Sequence, residues 1–481
     1  MNLFKQSFQI MKHCLIFFTL LFLCSCAVKA QGLKQLPNII FILADDLGYG
    51  DIGCYGQQKI NTPNIDALAK GGIKFTQFYS GSTVCGPARA SFMTGLHTGH
   101  TPIRGNKTFE PEGQTPLPDS SVTFAMELQK AGYRTAAFGK WSLGFITTSG
   151  APSKKGFDNF FGYNCQSLAH NYYPGHLWDN DHRVEFPDNL KANTVYSADL
   201  IQQKALAFID AQKKDKPFFL YLPYILPHVD LTPPHDSIYD YYVQLFNEKP
   251  LKETDKRNLN KQSIELYPHA AFAAMVARLD KYVGEIAAMV NKKGIAENTM
   301  IIFTSDNGPH KEKGGDPEFF NSHGIYRGIK RDLYEGGIRV PLIISWKGKI
   351  KPGKESDHIS AFWDFFSTFQ ELAKIPEAKN TDGISMLPLL LNKPQPKHDY
   401  LYWEFHESGG RQAVRWKNWK AIKLNVSTAK AEATELYDLT KDPSEKNNIA
   451  AQNVSIVKRM EAFMKAAHQK NNNWILFPVE K

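Results

Sequence analysis

Cysteine is scarce in this chain: 481 residues contain six, and Cys14, Cys24 and Cys26 lie in the N-terminal apolar region. The remaining three, Cys54, Cys85 and Cys165, exclude a disulfide framework and leave at least one thiol unpaired. Their spacing does not suit zinc. A basic run interleaved with aromatics is also missing. The 57 basic and 48 acidic residues, net +9, are scattered, so the chain carries no nucleic-acid footprint. That mild positive charge suits anionic substrates, and it fits ordinary surface composition equally well. No internal repeat or low-complexity tract is present, and past the N-terminus no apolar stretch reaches the roughly 20 residues needed to span a bilayer. What the chain does have is length and 42% hydrophobic residues, enough for one large domain and a smaller one.

Lys5 and Lys12 precede the apolar run Leu15 to Leu23, and together they read as a signal peptide within residues 1–30. Two exits are written there. Leu23-Cys24-Ser25-Cys26 resembles a lipobox, which would make Cys26 a lipidated first residue, whereas Val28-Lys29-Ala30 resembles a small-residue cleavage site. Either predicts an exported protein, in a bacterial periplasm or as an outer-membrane lipoprotein, that meets a membrane only through a lipid anchor.

Short apolar runs alternate with helical patterns, as in an α/β domain with a largely parallel sheet. Asn38 to Leu43, Arg134 to Phe138, Pro217 to Leu222, Met300 to Thr304 and Val340 to Ser345 read as buried strands. Ala270 to Asn291 reads as a long amphipathic helix and Val122 to Ala131 as a shorter one. From about residue 396 the texture changes to three short strands, Tyr400 to Phe405, Gln412 to Trp416 and Trp419 to Leu424, with a final helix Val454 to His468. The expectation is a main domain over 33–395 and a C-terminal antiparallel subdomain over 396–481.

Open α/β sheets build their sites just beyond the strand carboxyl ends. Here those ends lead to Asp45-Asp46, to Lys140, to His228 and to Asp306-Asn307. Each group taken singly is as well explained as a cap, a turn or a surface residue. Four such ends in one sheet predict convergence on one rim. Asp45, Asp46, Asp306 and Asn307 offer only oxygen donors, which suits a hard cation, calcium or magnesium, rather than zinc.

Cys85-Gly86-Pro87-Ala88-Arg89, followed by Phe92-Met93-Thr94-Gly95, resembles the Cys-x-Pro-x-Arg signature of the sulfatase family. The resemblance runs from Pro37-Asn38-Ile39-Ile40 through Asp45-Asp46-Leu47-Gly48, Gly139-Lys140-Trp141, Pro227-His228, Ser305-Asp306-Asn307-Gly308, Lys330 and Tyr334-Glu335-Gly336-Gly337 to Leu436-Tyr437-Asp438-Leu439. It implies an alkaline-phosphatase-like fold: a large mixed, mostly parallel sheet flanked by helices, with a smaller C-terminal antiparallel sheet plus helix. It further implies hydrolysis of sulfate esters through a formylglycine made from Cys85 by a formylglycine-generating or anaerobic sulfatase-maturing enzyme.

In the roles the resemblance implies, Asp45, Asp46, Asp306, Asn307 and modified Cys85 hold calcium, and Arg89 stabilises the formylglycine. Lys140, His228 and Lys330 bind sulfate, with His228 the first candidate to protonate the leaving oxygen and Lys330 the second. The sequence departs from the pattern at Ser142, where many members carry His after Gly-Lys-Trp. Between the shared motifs, His170, His323, His406 and Arg411 are candidate substrate contacts, and the pattern resembles bacterial enzymes acting on galactose or N-acetylgalactosamine sulfates in sulfated glycans. Two other readings stand beside this one: a phosphatase or phosphodiesterase of the same superfamily, and an inactive glycan-binding relative.

Overall fold

The apolar run Asn38–Ala44 is buried along its whole length because both of its faces are covered. Ile40, Ile42 and Ala44 share a core with Leu279, Val283 and Ile286 of the helix Pro268–Lys292. Phe41 turns the other way, its ring 4.3 Å from that of Phe92 and 4.9 Å from that of Phe365. Successive side chains of a strand point to opposite faces, so one continuous apolar run feeds two cores.

The computed structural model describes residues 35–110, 112–251, 265–376 and 380–480. The expected signal peptide of residues 1–30, with Cys26, lies outside them. Asn38–Ala44 is an inner strand of a ten-stranded sheet ordered Lys354–Ser356, Ile73–Phe75, Leu342–Trp346, Thr299–Ser305, Asn38–Ala44, Phe218–Pro223, Arg134–Lys140, Asn159–Tyr163, His176–Asp179 and His182–Glu185. From Thr299–Ser305 to Asn159–Tyr163 neighbouring strands are parallel. Leu342–Trp346 and His176–Asp179 then flank this block as antiparallel neighbours. The α/β expectation holds, with a parallel centre and mixed edges.

Register decides what happens at the rim. Ala44 pairs with Ser305 and Leu43 with Pro223, so the chain leaves three adjacent strands at nearly one level. Over that rim lies the helix Cys85–Thr94, with all ten residues buried. It packs with Phe124–Lys130 and Asp364–Leu372 on one face of the sheet. The helix predicted from Val122 begins two residues later because the Thr123 side chain caps it, accepting from the Met126 N–H.

The C-terminal sheet contains the three predicted strands, now Leu401–Phe405, Arg411–Trp416 and Trp419–Leu424, and a fourth, Glu435–Asp438, too short for its alternation to register. The helix Val454–Ala467 packs on it. Trp403 is fully buried against Tyr79 and Trp363, its Nε1 donating to the Ser80 carbonyl at 2.8 Å. Among the described residues no helix is long and apolar enough to cross a membrane.

Candidate active site

Four parallel strand ends and one helix N-terminus deliver a fully buried cluster of charge. Asp45 and Asp46 follow Asn38–Ala44, Asp306 and Asn307 follow Thr299–Ser305, Lys140 ends its strand, and His228 sits five residues past Phe218–Pro223. Cys85 is the first residue of the helix above them. The Lys140 ammonium donates to Asp45 Oδ2 at 2.7 Å and the Lys330 ammonium to Asp46 Oδ2 at 2.7 Å. Arg89 spans the two halves, donating to Asp306 Oδ2 at 2.7 and 3.1 Å and to Asp45 Oδ2 at 3.1 Å. The Cys85 thiol donates to Asp45 Oδ1 at 3.3 Å.

Three carboxylates therefore face three fixed cations, and the balance is uneven. Against the cost of burial, Lys140 and Arg89 hold Asp45 well below the usual carboxylate range, and Lys330 does the same for Asp46. Burial and the charges of Asp45 and Asp46 instead push Asp306 up to about 6. Burial and Asp45 raise the Cys85 thiol well above its ordinary value, so the unmodified side chain is a neutral thiol, a poor nucleophile. His228 Nδ1 lies 2.6 Å from the Val229 carbonyl, which makes Nδ1 the protonated nitrogen. Its Nε2 lone pair is 3.3 Å from the Lys330 ammonium, and burial together with Lys140 keeps the ring neutral. The proton of this pair sits on lysine.

The donor set fits a hard divalent cation. Asn307 gives its Nδ2 to Asp46 Oδ1 at 2.6 Å and leaves its own Oδ1 buried with no partner. Atoms of Asp45, Asp46, Cys85 and His228 lie within 4.8 Å of one another. A buried, unpaired carbonyl oxygen next to crowded carboxylates is the coordination chemistry of calcium or magnesium.

The remaining predicted residues divide. His170 joins the site edge-on to His228, ring centroids 4.6 Å apart. Burial, Lys140 and Lys330 bring it down to about 4, so it is neutral at pH 7. Arg411 reaches the site indirectly: it donates to the Arg331 carbonyl and to Asp332 at 2.7 and 2.6 Å, bracing the turn that carries Lys330. His323 spends its nitrogens on Glu318 and the Gly324 carbonyl. His406 bonds Glu404, part of a second buried network.

Two residues that the sequence reading passed over belong with the cluster. His310, fully buried, has its ring 6.3 Å from that of His228, and Gln166 Nε2 lies 3.9 Å from Cys85 Sγ. His310 had a signal, standing three residues past Asn307 in the same strand exit. Gln166 had none beyond following the strand Asn159–Tyr163.

The second network gives a stability test. Glu404 accepts from Arg104, Tyr402 and His406, and His468 bridges it to Glu480 at 2.7 and 2.6 Å, tying down the C-terminal segment. Although burial opposes it, the two carboxylates raise His468 above its ordinary value. A raised histidine stabilises the fold fully below its unfolded pKa of about 6.5 and loses that contribution as pH rises through the folded value. Replacing His468 by Gln should cost about 1–3 kcal/mol at pH 6, read as a drop in Tm. The deficit should shrink at pH 9, and one that does not shrink would assign His468 to packing alone.

A parallel-centred sheet whose strand ends set carboxylates and fixed cations on one rim, beneath the helix that begins at Cys85, has the alkaline-phosphatase-like fold. The family model for sulfatases matches residues 37–375, and that for the C-terminal part of N-sulphoglucosamine sulphohydrolase matches 322–470. The chain belongs to the sulfatase family and is a sulfuric ester hydrolase. It is 30% identical to the N-acetylgalactosamine-6-O-sulfatase of Bacteroides thetaiotaomicron, across 90% of this chain and 93% of that protein. Human arylsulfatase A is 32% identical across 86% of this chain and 83% of its own length. The solved structure of Ps i-CgsB in complex with k-i-k-neocarrahexaose superposes with a TM-score of 0.76 at 29% identity, covering 93% of this chain and 96% of that one.

Proposed function

We propose that this enzyme removes sulfate from a sulfated glycan, a galactose or N-acetylgalactosamine sulfate, using a formylglycine made from Cys85 and a calcium ion. The observation that carries the reading is Cys85 itself. It is a buried neutral thiol at a helix N-terminus, 3.3 Å from Asp45, in the position of a nucleophile and in the wrong chemical form to be one. Conversion by a maturation enzyme gives a side chain that, once hydrated, offers a hydroxyl to sulfur.

Asp45, Asp46, Asp306 and Asn307 would hold the divalent ion. When bound, the ion draws electron density from a sulfate oxygen and eases loss of a proton from the nucleophile. Lys140, Lys330 and Arg89 face the charge that builds on the peripheral sulfate oxygens during transfer. Fixed in place by the carboxylates, they need no reorganisation as it forms. Lys330 and His228 share one proton at the side where the sugar oxygen departs. The N-acetylgalactosamine in one relative's name and the neocarrahexaose bound in one similar structure support a sugar sulfate as the substrate. Export follows from the N-terminal residues 1–30, and a lipidated Cys26 would place the enzyme at a membrane surface.

The test combines mass and turnover. In protein from the native host, the peptide containing residue 85 should carry the aldehyde. Chelation should abolish turnover and calcium restore it, and aryl sulfate should be preferred over aryl phosphate. An unmodified thiol, or phosphate preference with zinc dependence, overturns the reading.

A further inference from the structure

Beside Lys140 lie buried polar atoms without hydrogen-bond partners. Ser142 Oγ, both amide atoms of Asn164, and Gln166 Oε1 are buried without a hydrogen-bond partner. Ser142 and Asn164 are fully buried. They are tied through the backbone, the Ser142 N–H donating to the Asn164 carbonyl at 3.2 Å. Ser142 holds φ at +62°, a left-handed conformation that L-residues adopt at a cost and that persists where the surroundings impose it. Gln166, two residues beyond Asn164, has its backbone N–H fixed by Gln114 Oε1 at 3.0 Å and carries its Nε2 to within 3.9 Å of Cys85 Sγ.

Buried polar groups are normally satisfied, and each unpaired one costs free energy. Gln166, with its Nε2 against the reacting side chain and its Oε1 buried and unpaired, forms a cradle with spare hydrogen-bonding capacity. A thiol cannot use that capacity, because it is a weak donor and a weak acceptor at a single atom. A side chain bearing two oxygens at the same carbon can. One oxygen would take the side of Asp45, where the thiol now points, and the other the side of Gln166.

We propose that Gln166 holds the second oxygen of the modified residue 85, the one that does not attack sulfur. This rests on the formylglycine reading. In the first half of the reaction one hydroxyl of the hydrated side chain would lose its proton to water as its oxygen bonds sulfur, the bond from sulfur to the sugar oxygen would break, and the sugar oxygen would take the proton carried by Lys330. In the second half the remaining hydroxyl would give its proton to water and its oxygen become the carbonyl oxygen, the bond from the same carbon to the sulfate oxygen breaking with its electron pair leaving on sulfate. The water consumed in hydrolysis then adds to the aldehyde and restores both oxygens. Amide and hydroxyl side chains are too weakly basic to take that proton themselves at neutral pH. Gln166 instead orients the hydroxyl so that the proton leaves toward water while carbon and oxygen align. The cradle thus serves regeneration and leaves attack to Asp45, Arg89 and the lysines.

The experiment compares matured wild type with Gln166→Leu, which keeps the volume and removes both polar amide atoms. For aryl sulfate, kcat and KM should fall together by about 10- to 100-fold, with kcat/KM nearly unchanged and a burst of aryl alcohol in the first turnover. Independently of turnover, acid-quenched Gln166→Leu should yield the residue 85 peptide heavier by one sulfuryl group. A fall in kcat/KM that matches the fall in kcat, with the quenched peptide unsulfated, would overturn the cradle while leaving the formylglycine reading intact. An unmodified thiol in wild type would overturn both.

Discussion

Replacing Cys85 by Ala is expected to lower sulfate release by roughly 10⁴-fold or more while Tm stays within a few degrees of the parent. The two halves of that expectation come from different contacts. Sγ makes one hydrogen bond, to Asp45 Oδ1 at 3.3 Å, and a longer approach from Gln166 at 3.9 Å. Removing one sulfur from a packed interior costs about 1 kcal/mol, and no charge is stranded. On the proposed reading the nucleophile, by contrast, is lost outright. Arg89→Ala is the instructive opposite. Arg89 is fully buried and bonds both Asp45 and Asp306. Its loss leaves two carboxylates uncompensated and should cost about 3–5 kcal/mol, so activity and stability would fall together. Sulfate release by Cys85→Ala within a hundredfold of wild type would place the nucleophile elsewhere.

The sequence made the strand ends readable because two independent patterns coincide there. The strands Asn38–Ala44, Phe218–Pro223 and Thr299–Ser305 carry consecutive apolar residues without alternation, a sign of burial on both faces, and charged or polar residues follow within a few positions. Asp45, His228 and Asp306 stand out for that reason, and the register of Ala44 with Ser305 brings the carboxylates to one level. Contacts that depend on a side chain's direction were not readable. His323, His406 and Arg411 stand on segments near the family motifs, yet the rotation of each side chain sends two of them to Glu318 and Glu404, and the third to the turn behind Lys330. Gln166 is one polar residue in a polar loop, and only the parallel pairing of Lys140 with Tyr163 brings that loop over Cys85. The fourth C-terminal strand, Glu435–Asp438, is defined by its partner Trp419–Leu424 and not by any pattern of its own four residues.

The second large effect should separate binding from proton transfer. His228 accepts from Lys330 at 3.3 Å through Nε2 while its Nδ1–H is held by the Val229 carbonyl, so the pair holds one transferable proton and lysine carries it. Asp46, 2.7 Å from the same ammonium, keeps that proton in place, and Lys330 is raised above its ordinary value against the cost of burial. A sugar alkoxide is strongly basic and cannot leave without the proton, whereas an aryl oxide such as nitrophenolate can. His228→Gln keeps a group able to accept from Lys330 but cannot pass a proton on. It should therefore lower kcat on a sugar sulfate by about 10²–10⁴-fold and on nitrophenyl sulfate by less than about 10-fold. Lys330→Ala should depress both substrates, because it removes a cation from the sulfate as well as the proton, and should depress the sugar sulfate further. The decisive quantity is the ratio of the two rates for each variant. If His228→Gln slows both substrates equally, the proton comes from another group, and Lys330 and His228 are reduced to holding sulfate.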